Sequence, residues 1–120
     1  MKVFIWCPDE LLGGLVSHRL RQQGTTVADI STEDELLAKA ADDNCNAVLV
    51  HYNKPIDEYC ELIRRIKSDR SIPRPAVYVL SWVQYESTVM SLFESGADEY
   101  LTLPLNLPRL MDKLNKKLAL

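Results

Sequence analysis

A short apolar segment that ends in a histidine constrains this chain most. Ala47 to Val50 is too short for a helix, is rich in β-branched residues and is apolar at every position. A continuous apolar run of this length suits a strand that is buried on both faces of a parallel sheet. In open sheets of that kind, ligands and chemistry lie just beyond the carboxyl ends of the strands. His51 stands at that point, so the function of the chain depends on the role of His51.

Length and composition indicate one domain over residues 1–120, of which 47% are apolar, enough for one hydrophobic core. The net charge of −3 argues against binding to nucleic acid or to an anionic membrane. No apolar run is long enough to cross a bilayer, and the N-terminus turns acidic too soon for a signal peptide. The three cysteines, Cys7, Cys45 and Cys60, lack the spacing of zinc or redox motifs, which predicts a reduced, cytoplasmic protein.

Five apolar segments alternate with five helical ones. The strands are predicted at Lys2–Trp6, Thr26–Ile30, Ala47–Val50, Ala76–Leu80 and Tyr100–Leu103. Helix boundaries are indicated by caps and stops at Asp9, Gly24, Thr32 with Glu35, about Asp43, Pro55, Pro73-Arg74-Pro75, Gly96 and Asn106 with Pro108. This alternation predicts a doubly wound α/β fold with a parallel sheet and helices on both faces.

Each predicted helix has an apolar face. The predicted buried or apolar positions are Leu11, Leu12, Leu15, Val16 and Leu20; Leu36, Leu37 and Ala40; Tyr59, Leu62, Ile63 and Ile66; Val89, Met90, Leu92 and Phe93; and Leu110, Met111, Leu114 and Leu118. Gly13-Gly14 is interpreted as close packing on the sheet, in preference to close approach by a partner. A basic cluster on the third helix is interpreted as its solvated face rather than a nucleic-acid site; it consists of Arg64, Arg65, Lys67 and Arg70.

Nearly the whole chain resembles the receiver domain of bacterial response regulators, the CheY-like fold. The most specific match is Gly96 to Pro104, and the next is Pro75 to Ser81, a fourth strand that ends in the family's Thr or Ser. The third strand also keeps the family's spacing to the loop proline, Pro55. The resemblance implies a flavodoxin-like three-layer sandwich with strand order 2-1-3-4-5.

The resemblance also implies which positions would carry phosphorylation chemistry. In the family, an aspartate after strand three accepts the phosphoryl group and two acidic residues after strand one hold Mg²⁺. A Thr or Ser after strand four and a lysine after strand five stabilise the phosphoryl group. At these positions the chain has, in the same order, His51, Cys7 and Pro8, Ser81 and Leu103. Only the serine is retained, and Asp9 is one residue too late to replace the acidic pair. We therefore predict a degenerate pocket that is not phosphorylated by the family route and holds no metal or cofactor.

Two sets of alternatives accompany this prediction. Cys7 and His51 are expected to be neighbours, and such a pair suits a thiolate site or half of a zinc or copper site. Neutral packing is favoured, because no further ligand is spaced to complete a set. Tyr100 stands at the family's switch position. It either joins Trp82 and Tyr85 in an exposed binding patch, or packs inward while Trp82 covers the pocket.

The sequence thus predicts a non-phosphorylatable receiver domain that acts as a protein-interaction module in bacterial signal transduction. By resemblance, the contacts lie on the face of helix four, strand five and helix five, which here includes Trp82, Tyr85, Tyr100, Arg109 and Lys113. A protein partner is expected, a homodimer is left open, and no contact with nucleic acid or membrane is expected. The alternative is a sensor that binds a metal, a redox signal or a small molecule at Cys7 and His51. An enzyme is not expected, since no Gly-rich phosphate loop or acid/base pair stands at the strand ends.

Overall fold

A five-stranded parallel sheet lies at the centre of the structure, a computed structural model that describes residues 1–42, 44–51, 55–69, 71–73 and 75–118. The strands are β1 (Lys2–Trp6), β2 (Thr26–Asp29), β3 (Ala47–His51), β4 (Ala76–Ser81) and β5 (Glu99–Thr102). They lie in the order β2-β1-β3-β4-β5, and every neighbouring pair is parallel. The predicted fold class and strand order are confirmed, with strand ends shifted by one residue in β2, β3, β4 and β5.

Five helices cover the two faces of this sheet. They are α1 (Glu10–Gln22), α2 (Glu33–Asp42), α3 (Ile56–Ser68), α4 (Glu86–Glu94) and α5 (Leu107–Leu118). Helices α1 and α5 pack on one face, against Val3, Ile5, Leu49, Tyr78 and Leu80. Helices α2, α3 and α4 pack on the other, against Phe4, Val48, Val50, Val77 and Val79. Because successive strand residues point to opposite faces, a strand covered on both sides is apolar throughout, as predicted for β3.

Side-chain caps begin three of the helices where the sequence predicted them. Asp9 Oδ1 accepts the Leu12 amide at 3.1 Å, and Thr32 Oγ1 accepts the Glu35 amide at 3.1 Å. Asn106 Oδ1 accepts the Arg109 amide at 3.0 Å. Each bond satisfies a backbone donor that the first turn of a helix leaves free. The predicted boundaries at Asp43 and Arg74 lie outside the described residues.

The predicted buried face of α1 is wrong for two of its leucines. Val16 and Leu20 are buried as expected, but Leu11 is 75% exposed and Leu15 is 55% exposed. At about 100° per residue, Leu11 lies on the opposite side of the helix from Leu20. The apolar positions of α1 therefore extend around the helix and leave an outward-facing leucine pair. In α2, α3 and α5 the predicted faces are buried or half-buried at the described side chains; that of Leu118 is outside them.

Lys67 was predicted to lie on the solvated face of α3, and this is also wrong. Its ammonium donates to Asp98 Oδ2 at 2.6 Å and to the Pro75 carbonyl at 2.9 Å. The same Asp98 oxygen accepts the Val77 amide at 2.7 Å. One carboxylate thus joins α3 to the start of β4 and β5. Of the remaining residues of the basic cluster, Arg64 and Arg65 are exposed. Arg70 lies outside the described residues.

Gly96 makes room for this lysine. Its φ of 116° lies in the left-handed region that favours glycine, and a Cβ there would stand 2.9 Å from Lys67 Cγ. The Gly96-Ala97-Asp98 segment, which carried the strongest resemblance, therefore has a structural role in this chain. It ends α4 and fixes the lysine–aspartate pair.

Candidate functional site

The predicted pocket residues meet at the carboxyl edge of the sheet. Trp6 pairs in register with Val50, so Cys7 and His51, the next residues, end adjacent strands side by side. His51 pairs with Leu80, which precedes Ser81, and Ser81 pairs with Thr102, which precedes Leu103. Four strand ends therefore deliver their side chains to one edge, at the position where open α/β sheets bind ligands.

His51 is half-buried, and its imidazole has no hydrogen-bond partner among the described residues. Both ring nitrogens are buried and form no hydrogen bond with any described residue. Burial lowers the pKa of His51, and the nearby Asp9 carboxylate opposes that shift only in part. The imidazole is therefore neutral at neutral pH. The backbone carbonyl of His51 is satisfied, since the Tyr59 hydroxyl donates to it at 3.0 Å.

Cys7 is a protonated thiol rather than a reactive thiolate. Its Sγ donates to the Asp9 carbonyl at 3.4 Å, and burial raises the pKa of the thiol. Gly13 of α1 lies against it, because a Cβ at Gly13 would stand 3.4 Å from the Cys7 Cβ. The predicted close packing thus applies to Gly13. It does not apply to Gly14, where a Cβ would meet nothing within 4 Å.

The residues at this edge do not fit a magnesium ion. Mg²⁺ requires oxygen ligands in a nearly octahedral arrangement, and the positions of the family's acidic pair hold the Cys7 thiol and the Pro8 ring. The Asp9 carboxylate is exposed and caps α1. Within the described ranges, no cluster of three or more His, Cys, Asp or Glu side chains could hold a metal.

The side chains of Ser81 and Leu103 are both buried and interact with the protein interior. Ser81 is fully buried, and its Oγ accepts the Val83 amide at 2.9 Å. The Leu103 amide donates to the Ser81 carbonyl at 2.8 Å, and its side chain is buried in the core between the sheet and α1 and α5. The Leu103–Pro104 peptide bond is cis. No cationic side chain stands at this position of the pocket.

Tyr100 packs inward and fastens the loop between β4 and α4. The side chain contacts the core beside α2, α3 and α4, and its hydroxyl donates to the Val83 carbonyl. Burial raises the pKa of the Tyr100 hydroxyl. Because Ser81 and Tyr100 both hold Val83, the loop has little freedom at that residue. Of the two alternatives for Tyr100, the one in which its side chain packs inward therefore holds.

Trp82 is exposed, so the alternative in which it covers the pocket does not hold. The indole is 65% exposed, because the two hydrogen bonds at Val83 turn the preceding residue outward. Tyr85, Met90 and Phe93 are also exposed, on or just before α4. We call Trp82, Tyr85, Met90 and Phe93 the α4 surface. Trp82 and Tyr85 line a shallow cleft of about 470 Å³.

The sequence analysis named Trp82 and Tyr85 as candidates for an exposed patch. It placed Met90 and Phe93 on α4 without predicting that their side chains are exposed. The available signal is their spacing, since residues three apart share one side of a helix while Leu92 turns inward. Arg109, which the sequence analysis placed on the interaction face, is exposed. Lys113 is half-buried and donates to Glu99 Oε2 at 3.1 Å.

A second concavity, of about 570 Å³, lies between α1 and the end of β2. Its polar lining includes Ser17, Arg21 and Asp29, and these side chains already bind one another. Ser17 Oγ donates to Asp29 Oδ1 at 3.1 Å, and Arg21 lies 3.5 Å from Asp29 Oδ2. Sequence reasoning missed this groove, because its walls come from separate elements with no common motif.

No helix in the described part of the chain has both the length and the apolar character needed to span a bilayer.

Comparison with known proteins supports the receiver fold. No family model matches the chain. The transcriptional regulatory protein CrdR of Helicobacter pylori is 27% identical over 115 residues, which cover 96% of this chain and 54% of that regulator. The chain thus spans about half the length of this curated relative.

Two solved structures illustrate the structural likeness. A response regulator from Thermotoga maritima superposes with a TM-score of 0.88 at 23% identity, covering 99% of this chain and 98% of that one. A response regulator from Burkholderia pseudomallei, solved with a phosphorylated aspartic acid and a calcium ion, gives 0.75 at 20% identity, covering 94% and 65%. The chain therefore has the fold of response-regulator receiver domains, the CheY-like fold.

Proposed function

We propose that the chain is a cytoplasmic receiver domain of bacterial two-component signalling that works without aspartate phosphorylation, as a protein-interaction module. The observation that carries this proposal is the state of His51. A neutral imidazole without a hydrogen-bond partner among the described residues occupies the position of the phosphoryl acceptor. An imidazole at this place cannot form the acyl phosphate that an aspartate forms.

The other described residues at the predicted pocket positions offer little assistance to phosphoryl transfer. Catalysis of this transfer depends on charged groups and metal ions that stabilise the equatorial oxygens. Leu103 places an apolar side chain where a cation would be needed, and Ser81 Oγ already accepts a backbone amide. The side chains of Cys7 and Pro8 provide no oxygen ligand for a metal. We therefore assign no enzymatic activity to this edge of the sheet.

A fixed conformation favours a constitutive binding module over a switch. Receiver signalling by phosphate requires two arrangements of the pocket and its loops. In this chain the loop after β4 is held at Val83 from both sides, by Ser81 and by Tyr100. The buried Leu103 anchors the end of β5 in the core. These contacts restrain the loop after β4 and the end of β5.

The α4 surface is the binding face that we infer. Trp82, Tyr85, Met90 and Phe93 expose large apolar side chains that a monomer would be expected to bury or avoid. Aromatic residues and methionine are enriched in protein interfaces, and aromatic side chains often carry much of the binding energy. The charged side chains of Glu86 and Glu94 are also exposed on α4 and would give the patch a polar rim.

Substitution of Trp82 and Tyr85 is expected to abolish partner binding. The double variant W82S/Y85S should bind a captured protein partner at least about tenfold more weakly than the wild type, because an interface anchor contributes above about 1–2 kcal/mol. Affinity purification followed by binding measurements on the recovered partner would test this, each done with and without acetyl phosphate and Mg²⁺. The variant L11S is the matched control, since Leu11 is equally exposed on another face.

Phosphate dependence separates the two outcomes of that experiment. Equal binding with and without the phosphodonor, combined with loss in W82S/Y85S, agrees with a phosphate-independent module. Binding that requires the phosphodonor, or that L11S weakens as much as W82S/Y85S does, contradicts it.

The sensor alternative rests on the same imidazole. Two buried ring nitrogens that no described residue bonds are a place where a ligand would gain hydrogen bonds. The protonated Cys7 thiol and the lack of a ligand cluster in the described residues favour a small neutral hydrogen-bonding molecule over a metal. Isothermal titration of such a molecule against wild type and His51→Leu would distinguish this candidate.

A further inference from the structure

The outward side of α1 carries an apolar pair that the fold does not use. Leu11 is 75% exposed and Leu15 is 55% exposed. They stand four residues apart, so their side chains are neighbours on one side of the helix. The buried side of α1 is formed instead by Val16, Ser17 and Leu20. A lone exposed leucine is ordinary, but a leucine pair on a single helical stripe is the pattern of a helix that packs on something.

Gly14 lies beside Leu11 on α1, at a point where no described side chain requires the space of a Cβ. A Cβ at Gly14 would meet nothing within 4 Å, and its φ is not positive. Gly13 differs, because the Cys7 side chain lies against it. A glycine inside a helix weakens the helix relative to alanine. Its useful property here is the close approach that a missing side chain allows to a second helix.

The charges along α1 are arranged from one end to the other. Asp9 and Glu10 stand at the start, and Arg19 and Arg21 stand in the last turn. Glu10 and Arg19 make no ion pair within the described part of the chain. A second copy of α1 running in the opposite direction would bring each acidic end beside a basic end. The dipoles of the two helices would also be opposed, which is favourable.

We propose that two copies of this chain associate through α1, with the two helices antiparallel and crossing near Gly14. In this arrangement Leu11 of each copy lies opposite Leu15 of the other, and the absent side chain of Gly14 lets the backbones approach. The stripe is self-complementary, as a two-fold interface requires. A contact made by one helix from each copy is smaller than a standard interface, so the dimer is weak and forms at high concentration.

This surface is separate from the α4 surface, and the dimer leaves Trp82 and Tyr85 exposed. The two proposals can therefore fail independently. A protein partner on α1 in place of a second copy would leave the purified chain monomeric at every concentration.

Sedimentation velocity of the purified chain from about 10 μM to about 1 mM tests the proposal, a range chosen for a weak interface. The wild type is expected to shift toward the dimer mass as concentration rises. Leu15→Asp is expected to weaken self-association at least about tenfold, because each dimer would bury two carboxylates in place of two leucines. Met90→Asp, with a similarly exposed residue on α4, is the matched control and should dimerise as the wild type does.

Gly14→Ala separates folding from association. The added methyl group meets open space in the monomer and improves helix propensity, so the melting temperature should rise. The same methyl group enters the crossing point of the two helices, so self-association should fall. A variant that is more stable yet less dimeric is a result that a purely structural role of Gly14 would not give.

Cross-linking tests the antiparallel register, in a Cys7→Ala background that removes the half-buried native thiol. Leu11→Cys mixed with Leu15→Cys should give a mixed disulfide dimer under mild oxidant, in excess over either variant alone, because only close cysteine pairs can join. Gln22→Cys, exposed at the far end of α1, should not cross-link with itself. A monomer at every concentration, a Leu15→Asp variant that still dimerises, or dominant self-cross-linking of Leu11→Cys would overturn the proposal.

Discussion

Replacing Asp98 by alanine is expected to lower the free energy of unfolding by about 3 kcal/mol. The side chains of Asp98 and Lys67 are only 21% and 24% exposed, and their charged atoms lie 2.6 Å apart. The substitution leaves the Lys67 ammonium without its charge partner and the Val77 amide without its acceptor. Unfolding in urea, followed by tryptophan fluorescence, measures the loss.

Two further variants identify the cause of that loss. Asp29→Ala removes an exposed pair with Arg21, whose side chains are 63% and 53% exposed, and should cost less than about 1 kcal/mol. Lys67→Met combined with Asp98→Ala should recover part of the stability, because the double variant no longer holds an unpaired charge. An Asp98→Ala variant no less stable than Asp29→Ala would show that the network does not hold β4 and β5 to α3.

Replacing His51 by leucine is expected to stabilise the chain, by about 1–2 kcal/mol at neutral pH. Leucine is similar in size to histidine and removes two buried nitrogens that have no partner within the described residues. A phosphoryl-accepting position is not expected to tolerate an apolar residue with a gain in stability. The control His18→Gln changes an exposed imidazole on α1 and should alter stability little.

The stability that His51→Leu gains over the wild type should grow as the pH falls. The pKa of His51 in the folded chain is lowered from 6.5, mainly by burial, so the unfolded chain binds a proton that the folded chain does not. The contribution of a neutral His51 is therefore fully present above pH 6.5 and is lost as the pH falls below it. Urea unfolding of wild type and His51→Leu between about pH 5 and pH 7.5 measures the difference, in the window that an ordinary histidine pKa sets. A constant difference across this window would show that the imidazole is protonated freely in the folded state.

The sheet could be predicted from the sequence because its signal is local. Five short apolar segments, each followed by a capped helix, leave few arrangements for a chain of this length. The caps at Asp9, Thr32 and Asn106 are also local, since each side chain bonds an amide three residues away. The positions of Cys7, His51 and Ser81 at one edge follow from strand ends alone.

What could not be predicted depends on contacts between distant residues. Lys67 and Asp98 are 31 positions apart, and nothing beside Lys67 in the sequence distinguishes it from the exposed Arg65. Trp82 is turned outward by bonds from Ser81 and Tyr100 to Val83, which no pattern of apolar residues encodes. Leu11 and Leu15 look like core residues because α1 has leucines around most of its circumference.

The protonation states of Cys7 and His51 also could not be predicted from the sequence. A Cys/His pair at two strand ends is compatible with a thiolate, a metal site or neutral packing. Burial raises the pKa of Cys7 and lowers the pKa of His51, and His51 has no hydrogen-bond partner among the described residues, which favours neutral packing. The sequence identified the positions that had lost the family's residues, and the side-chain environment defines what the replacements do.

The most direct measurement is a titration of the chain with beryllofluoride and Mg²⁺, which mimic a phosphorylated aspartate. Fluorescence of the exposed Trp82 and the amide resonances near Ser81 and Tyr100 would report any change at the pocket. No change at millimolar ligand is the expected result, because His51 stands at the acceptor position and Cys7 and Pro8 stand at those of the acidic pair. A saturable, Mg²⁺-dependent shift of these signals would contradict the phosphate-independent receiver and would show that Asp9 completes a working site.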